Sequence, residues 1–173
     1  MALRPGRTVR KIERPYTRVS YSIPRKSYVK GVPSPRIVHF EMGNREGNFN
    51  RILYLISKSN AQIRHNALEA ARIVCNTFLT KKLGIANFFF KILKYPHHVI
   101  REKPIATGAG ADRYSQGMRL AFGKPKGLAL QAFKGEKIAM VKVNKENVKI
   151  AKEALKKFGS KIPIKVRIEV EEV

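Results

Sequence analysis

The chain is short of acid, of cysteine and of long apolar runs, and each shortage excludes something. Only 12 of its 173 residues are Asp or Glu, against 36 Lys and Arg, which leaves a formal net charge of +24. Like charges repel and weaken a compact state, so the excess implies a polyanionic partner, nucleic acid or an anionic membrane. A single cysteine, Cys75, rules out an internal disulfide and fits a reducing compartment. No run of about 18 apolar residues exists to span a bilayer. The opening Met1-Ala2-Leu3-Arg4-Pro5-Gly6 lacks the apolar stretch of a signal peptide. The cations are spread along the whole chain, not gathered on one amphipathic helix, so membrane is excluded as the partner and nucleic acid remains.

Catalytic patterns are also missing. The acids are dispersed, whereas a metal-dependent nuclease needs grouped carboxylates. His97 and His98 are adjacent, the wrong spacing for two ligands on one helical face. Gly117 to Gly123-Lys124 resembles a phosphate-binding P-loop, but five residues separate the glycines where four are needed, and Pro125 replaces the magnesium-binding hydroxyl. Gly108-Ala109-Gly110-Ala111-Asp112-Arg113 starts like a dinucleotide motif but carries Arg at the third glycine. The expectation is no enzyme, no catalytic residue, no metal and no cofactor.

What is present is a folded domain with basic appendages, since 43% of the residues are hydrophobic. Residues 1–35 carry Arg4, Arg7, Arg10, Lys11, Arg14, Arg18, Arg25, Lys26 and Lys30 against one acid, Glu13. Five prolines interrupt any helix or central strand there, and Tyr16, Tyr21 and Tyr28 are interleaved. The stretch reads as an extended RNA-binding arm, not a packed element, that could reach roughly 100 Å at most. Residues 36–173 read as one globular domain.

Alternation predicts a strand over Ile37–Met42, and the apolar run Arg51–Ser57 predicts a central one. A helix is predicted over Asn66–Leu83, with Asn66 as N-cap, Glu69 in capping-box position and Gly84 at the C-terminal cap. Leu68, Ala71, Cys75, Phe78 and Leu79 form its apolar stripe. Ala86–Leu93 reads as a strand. Its Phe88, Phe89 and Phe90 must alternate between faces, so they cannot make one stacking platform and belong to the core. Leu128–Phe133 and Ile138–Val143 read as strands around a Lys134-Gly135-Glu136 turn. A second helix follows over Lys145–Phe158, capped by Asn144 and ended by Gly159. The last strand alternates over Ile162–Val170, with Glu171 and Glu172 as a solvated end. The order β-β-α-β, loop, β-β-α-β is that of an α+β two-layer domain with a largely antiparallel or mixed sheet and two helices.

Residues 101–126 break the pattern. This glycine-rich stretch holds Gly108, Gly110, Gly117 and Gly123 with Arg101, Lys103, Arg113, Arg119, Lys124 and Lys126, opposed by Glu102 and Asp112. So long a loop in a compact domain has a functional use. Glycine allows close approach to a phosphate chain, and arginine grips phosphate in bidentate fashion.

Within it, Ala109-Gly110-Ala111-Asp112-Arg113, Gly117-Met118-Arg119 and Ala121-Phe122-Gly123-Lys124-Pro125-Lys126-Gly127 resemble the signature loop of the universal large-subunit ribosomal protein sixteen family, in its archaeal and eukaryotic branch, ten-e. Gly31-Val32-Pro33, Leu68-Glu69-Ala70-Ala71-Arg72 and Pro96-His97-His98-Val99-Ile100-Arg101 extend the resemblance over nearly the whole chain. The resemblance implies an α/β-hammerhead fold and a place in the large subunit near the base of the central protuberance. It implies contact with large-subunit rRNA, late joining in assembly, and a loop, Arg101 to Lys126, directed toward the peptidyl transferase region and tRNA. Further implied partners are 5S rRNA and neighbouring ribosomal proteins, and the implied location is cytoplasmic. The chain ends soon after its last strand, without the longer basic tail of eukaryotic members, so an archaeal origin is expected. The rival reading is a free-standing basic RNA- or DNA-binding protein.

Overall fold

A computed structural model describes residues 3–17, 20, 22–26 and 29–172; Arg18, Tyr21 and Tyr28 lie outside the described residues. The strands are β1 (Glu41–Gly43), β2 (Arg51–Ser57), β3 (Ala61–Arg64), β4 (Phe89–Ile92), β5 (His98–Glu102), β6 (Lys124–Ala132), β7 (Lys137–Val143) and β8 (Val166–Glu172). The helices are α1 (His65–Leu83) and α2 (Val148–Ser160). One sheet runs β1-β4-β7-β2-β8 and a smaller one β3-β6-β5. The α+β class with two helices is as expected, but the sheet is not mixed: each of the pairs is antiparallel.

The helices pack together, α2 on the five-stranded sheet and α1 against β3 and β6. One main core results. Leu53, Leu55, Phe90 and Val141 meet Leu68, Cys75 and Leu79 of α1 and Leu155 and Phe158 of α2, with Ile63 and Leu130 from the small sheet. Phe90 and Phe158 touch edge to face at 6.1 Å, an arrangement that aromatic quadrupoles favour. Phe88 and Phe90 join this core, while Phe89 is buried outside it, with Lys142 above its ring. Cys75 is fully buried, and burial pushes its thiol far above the ordinary range, so it serves as a small apolar residue.

Several boundaries differ from the sequence reading. The first strand, β1, begins only at Glu41: Phe40 and Met42 pack on the core and Glu41 is exposed, as the alternation expects, but Ile37 is fully buried and Val38 exposed. Two strands that the sequence reading lacks, β3 with four residues and β5 with five, are too short to show a clear period. Neither Asn66 nor Asn144 caps its helix: α1 starts at His65 after Arg64, and a 3-10 turn, Lys145–Asn147, leads into α2. Glu69 pairs with Arg72 at 2.6 Å, so it is not part of a capping box. Gly84 does close α1, at φ 75°, its N–H donating to the Thr80 carbonyl. Gly159 does not end α2. It sits in the last turn because a Cβ there would come within 2.8 Å of Val166 Cγ2. Ile162 and Ile164 reach the core before β8 begins. Glu171 and Glu172 belong to β8 and pair with Lys137 and Arg51 across the sheet. Among the described residues, no helix is long and apolar enough to cross a membrane.

Candidate nucleic-acid interface

The small sheet carries the two basic segments. β5 and β6 form a hairpin whose connection, residues 103–123, is the glycine-rich loop. Arg101, Lys124 and Lys126, expected in the loop, stand on the strands at its base. Gly123 closes that base with φ +80°; a Cβ there would lie 2.9 Å from the Glu102 carbonyl carbon. Within the loop, Ser115 Oγ accepts from the Ala106 N–H at 3.1 Å, and Ala111–Arg113 forms a 3-10 turn entered through left-handed Gly110. Tyr114, Met118, Leu120 and Phe122 are exposed, and so are Arg113 and Arg119. Leu120 holds φ +56°, a conformation rare outside glycine.

The N-terminal segment runs over this sheet from one edge to the other. On β3 the Gln62 N–H donates to the Arg10 carbonyl at 2.8 Å, and Gln62 Nε2 donates to the Lys11 carbonyl. On β6, Gln131 Nε2 donates to the Glu13 carbonyl at 2.7 Å. On β5 the Val99 N–H donates to the Tyr16 carbonyl at 3.0 Å, and the Tyr16 N–H donates to His98 Nδ1 at 3.1 Å. Val29, Val99 and Leu128 then form a small second core with Tyr16 and Val32. The arm is therefore seated where the sequence reading left it unpacked. Carbonyls gripped by side-chain amides leave no periodicity to read. Gln62, Gln131 and His98 are the residues that reading missed. The available signal was a polar group inside a buried apolar run, as in Ala61-Gln62-Ile63 and Leu130-Gln131-Ala132.

Arg4 and Arg101, both expected contact residues, have protein partners. Arg4 pairs with Glu102. Arg101 lies 3.8 Å from Glu13, with its guanidinium 4.1 Å from the Phe122 ring centre and 5.2 Å from that of Tyr16. It thus ties arm, strand and loop together. Tyr16 and Phe122 meet edge to face at 5.4 Å. The side chains of Arg7, Arg10, Lys11, Arg14, Arg25, Lys26 and Lys30 are exposed. Arg4, Arg101, Lys103 and Lys126 line one cavity of about 240 Å³. Lys103, Arg119 and Lys124 line another of about 470 Å³, while Arg113 lines neither.

Two histidines fasten these segments in the neutral form. His65 Nδ1 accepts the Arg36 N–H at 3.1 Å, as His98 accepts that of Tyr16. Burial lowers the pKa of both. For His65, Arg36 and Arg64 push the same way; for His98, Glu13 opposes the shift and Arg101 adds to it. Among the described residues no cluster of His, Cys, Asp or Glu could hold a metal ion.

Charge is divided between the two sheets. The large sheet neutralises much of its own through Lys91–Glu41, Lys137–Glu171 and Arg167–Glu169. Arm and loop together hold fifteen cations against Glu13, Glu102 and Asp112.

The model of one family, ribosomal protein L16p/L10e, matches residues 16–169. The chain is 49% identical over 173 residues to large ribosomal subunit protein uL16 of Sulfolobus acidocaldarius, covering 98% of this chain and 94% of that protein. It is 46% identical over 171 residues to the same protein of Archaeoglobus fulgidus, covering 99% and 94%. With the uL16 of Methanococcus aeolicus it shares 47% over 169 residues, covering 97% and 94%. All three organisms are archaea. Matched over nearly its full length by both the family model and these relatives, the chain belongs to the ribosomal protein L16p/L10e family as an archaeal member.

Proposed function

We propose that the protein is a structural, non-catalytic constituent of the large ribosomal subunit, held by rRNA contacts from its arm and from the base of the β5–β6 loop. The observation that carries this reading is the seating of the arm over the small sheet. It brings the arm's exposed Arg10, Lys11 and Arg14 to the sheet from which the basic loop extends, although the two stretches lie far apart in sequence. The name of the archaeal relatives supports the same placement. The arm cations Arg7, Arg10, Lys11 and Arg14 lie outward, as phosphate contacts require. The loop, with Arg113 and Arg119 among exposed Tyr114, Met118 and Leu120, suits a nucleic acid that presents both phosphate and unstacked bases. In the proposed arrangement it extends toward the peptidyl transferase region and tRNA and supports tRNA placement. The chain joins late in assembly, beside neighbouring ribosomal proteins and 5S rRNA, in the cytoplasm.

The test is sedimentation with archaeal large subunits across a salt series. The protein should travel with the subunit at low salt and be stripped at high salt. A log–log slope of roughly −0.7 per phosphate contact on single strands, or −0.9 on duplex, gives the number of contacts. A protein that never associates with subunits, yet binds unrelated RNA or DNA equally well, would be a free-standing module.

A further inference from the structure

The cavity of about 240 Å³ lies where the arm, β5, β6 and the start of α1 meet. Val9, Ile100 and Leu128 supply apolar surface. Arg4, Arg64, Lys103 and Lys126 supply cations. Its one lining carboxylate, Glu102, is held by Arg4, and Arg64 Nη1 donates to the Arg4 carbonyl at 2.7 Å, which fixes the arm as one wall. The first turn of the 19-residue helix α1 also faces this place through His65 and Asn66, and no side chain caps it. Its positive end therefore adds to the field of the cations.

An apolar slot with a cationic surround matches a nucleotide: a planar base in the slot, its phosphate among the cations. The volume is below the roughly 300–1,000 Å³ of small-molecule sites, which suits a single base. Unstacked RNA bases are read in this way, through stacking and hydrogen bonds to their edges. Resting on the RNA-binding reading above, we infer that this cavity receives one extruded nucleotide of the large-subunit RNA. The arm is then a wall of a base-binding pocket as well as a carrier of charge.

The test titrates the full chain with AMP, GMP, CMP, UMP and, as a base-free control, ribose 5-phosphate, read by NMR. At least one nucleotide should shift the amides of Val9, Ile100, Gly127 and Leu128 in a saturable way, while ribose 5-phosphate leaves them in place. Equal shifts with the control would overturn the inference. In a second arm, V9W fills the slot without changing charge. It should weaken binding to purified large-subunit rRNA about tenfold, the order expected for one lost base contact, at unchanged salt slope and melting temperature. If V9W binds as wild type does, the pocket fails while RNA binding stands. If wild type shows no salt-dependent rRNA binding, the reading beneath the pocket fails with it. Should V9W not fold, the nucleotide titration decides alone.

Discussion

His98 shows how one side chain joins sequence-distant parts. Only a neutral imidazole can accept the Tyr16 N–H, and burial keeps it neutral by holding its pKa below the ordinary value. The sign of the pH dependence follows. Above about pH 6.5 the imidazole is neutral both seated and released, so its contribution is complete. As the pH falls below that value the released form binds a proton first, and the contribution is lost as the pH passes through the depressed native pKa. His65 acts in the same direction on the Arg36 N–H. Amide exchange at Tyr16, corrected for its intrinsic pH dependence, should show weaker protection near pH 5 than near pH 7. Equal protection would remove His98 from the seat. Arg113 and Arg119 contrast with it, being exposed on the loop. Alanine at either should change stability by about 0.5 kcal/mol or less and slow tRNA placement in translation by reconstituted subunits. Leu155→Ala or Phe158→Ala empties a fully buried site and should cost roughly 2–5 kcal/mol. Thermal melting beside translation separates the two classes; loop variants that melt early, or translate normally, would refute the assignment.

At the scale of elements, the arm and the β5–β6 hairpin depend on one another. The arm's carbonyls take donors from β3, β6 and β5, and Arg101 closes the join between Glu13, Tyr16 and Phe122. Deleting residues 1–17 removes no part of the main core, so the domain should still unfold cooperatively. It should do so at a lower temperature, with faster amide exchange at Gln62 and Val99 and weaker incorporation into subunits. Loss of the cooperative transition would make the arm part of the folding unit; an unchanged melt would mean its hydrogen bonds stabilise nothing. The loop's closure rests on Gly123. Alanine there must adopt an unfavourable positive φ and crowd the Glu102 backbone, which should cost about 1–3 kcal/mol. An unshifted melting temperature for Gly123→Ala would contradict that geometry.

For the whole molecule the decisive property is where charge is left unneutralised. Edge strand β8 brings Glu169, Glu171 and Glu172 to one edge of the large sheet, where each meets a cation. Arm and loop set only Glu13, Glu102 and Asp112 against fifteen cations. Charge reversal in the two regions should therefore differ. Arg10→Glu with Arg14→Glu should reduce the salt slope of rRNA binding by about 1–2 contacts. Lys137→Glu should leave the slope unchanged and lower stability, since it sets two carboxylates together across the sheet. Equal slopes for the two variants would mean that binding does not distinguish these surfaces.

The sequence by itself determined the polyanionic partner, the α+β class, the apolar stripe of α1 and the signature loop. Each of these is written locally, as net charge, as a period of two or 3.6 residues, or as a contiguous motif. It also determined that Phe88, Phe89 and Phe90 could not share a face, because strand geometry alone forbids it. Tertiary structure decided the rest. The division into two antiparallel sheets depended on β3 and β5, too short to show a period. The seat of the arm depended on hydrogen bonds from Gln62, Gln131 and His98 to backbone groups more than fifty residues away. The use of Arg101 as a brace depended on Glu13 and Phe122 arriving from opposite directions in the chain. Side chains that bond to a backbone impose no pattern on their partners, so such contacts stay invisible until the chain is folded.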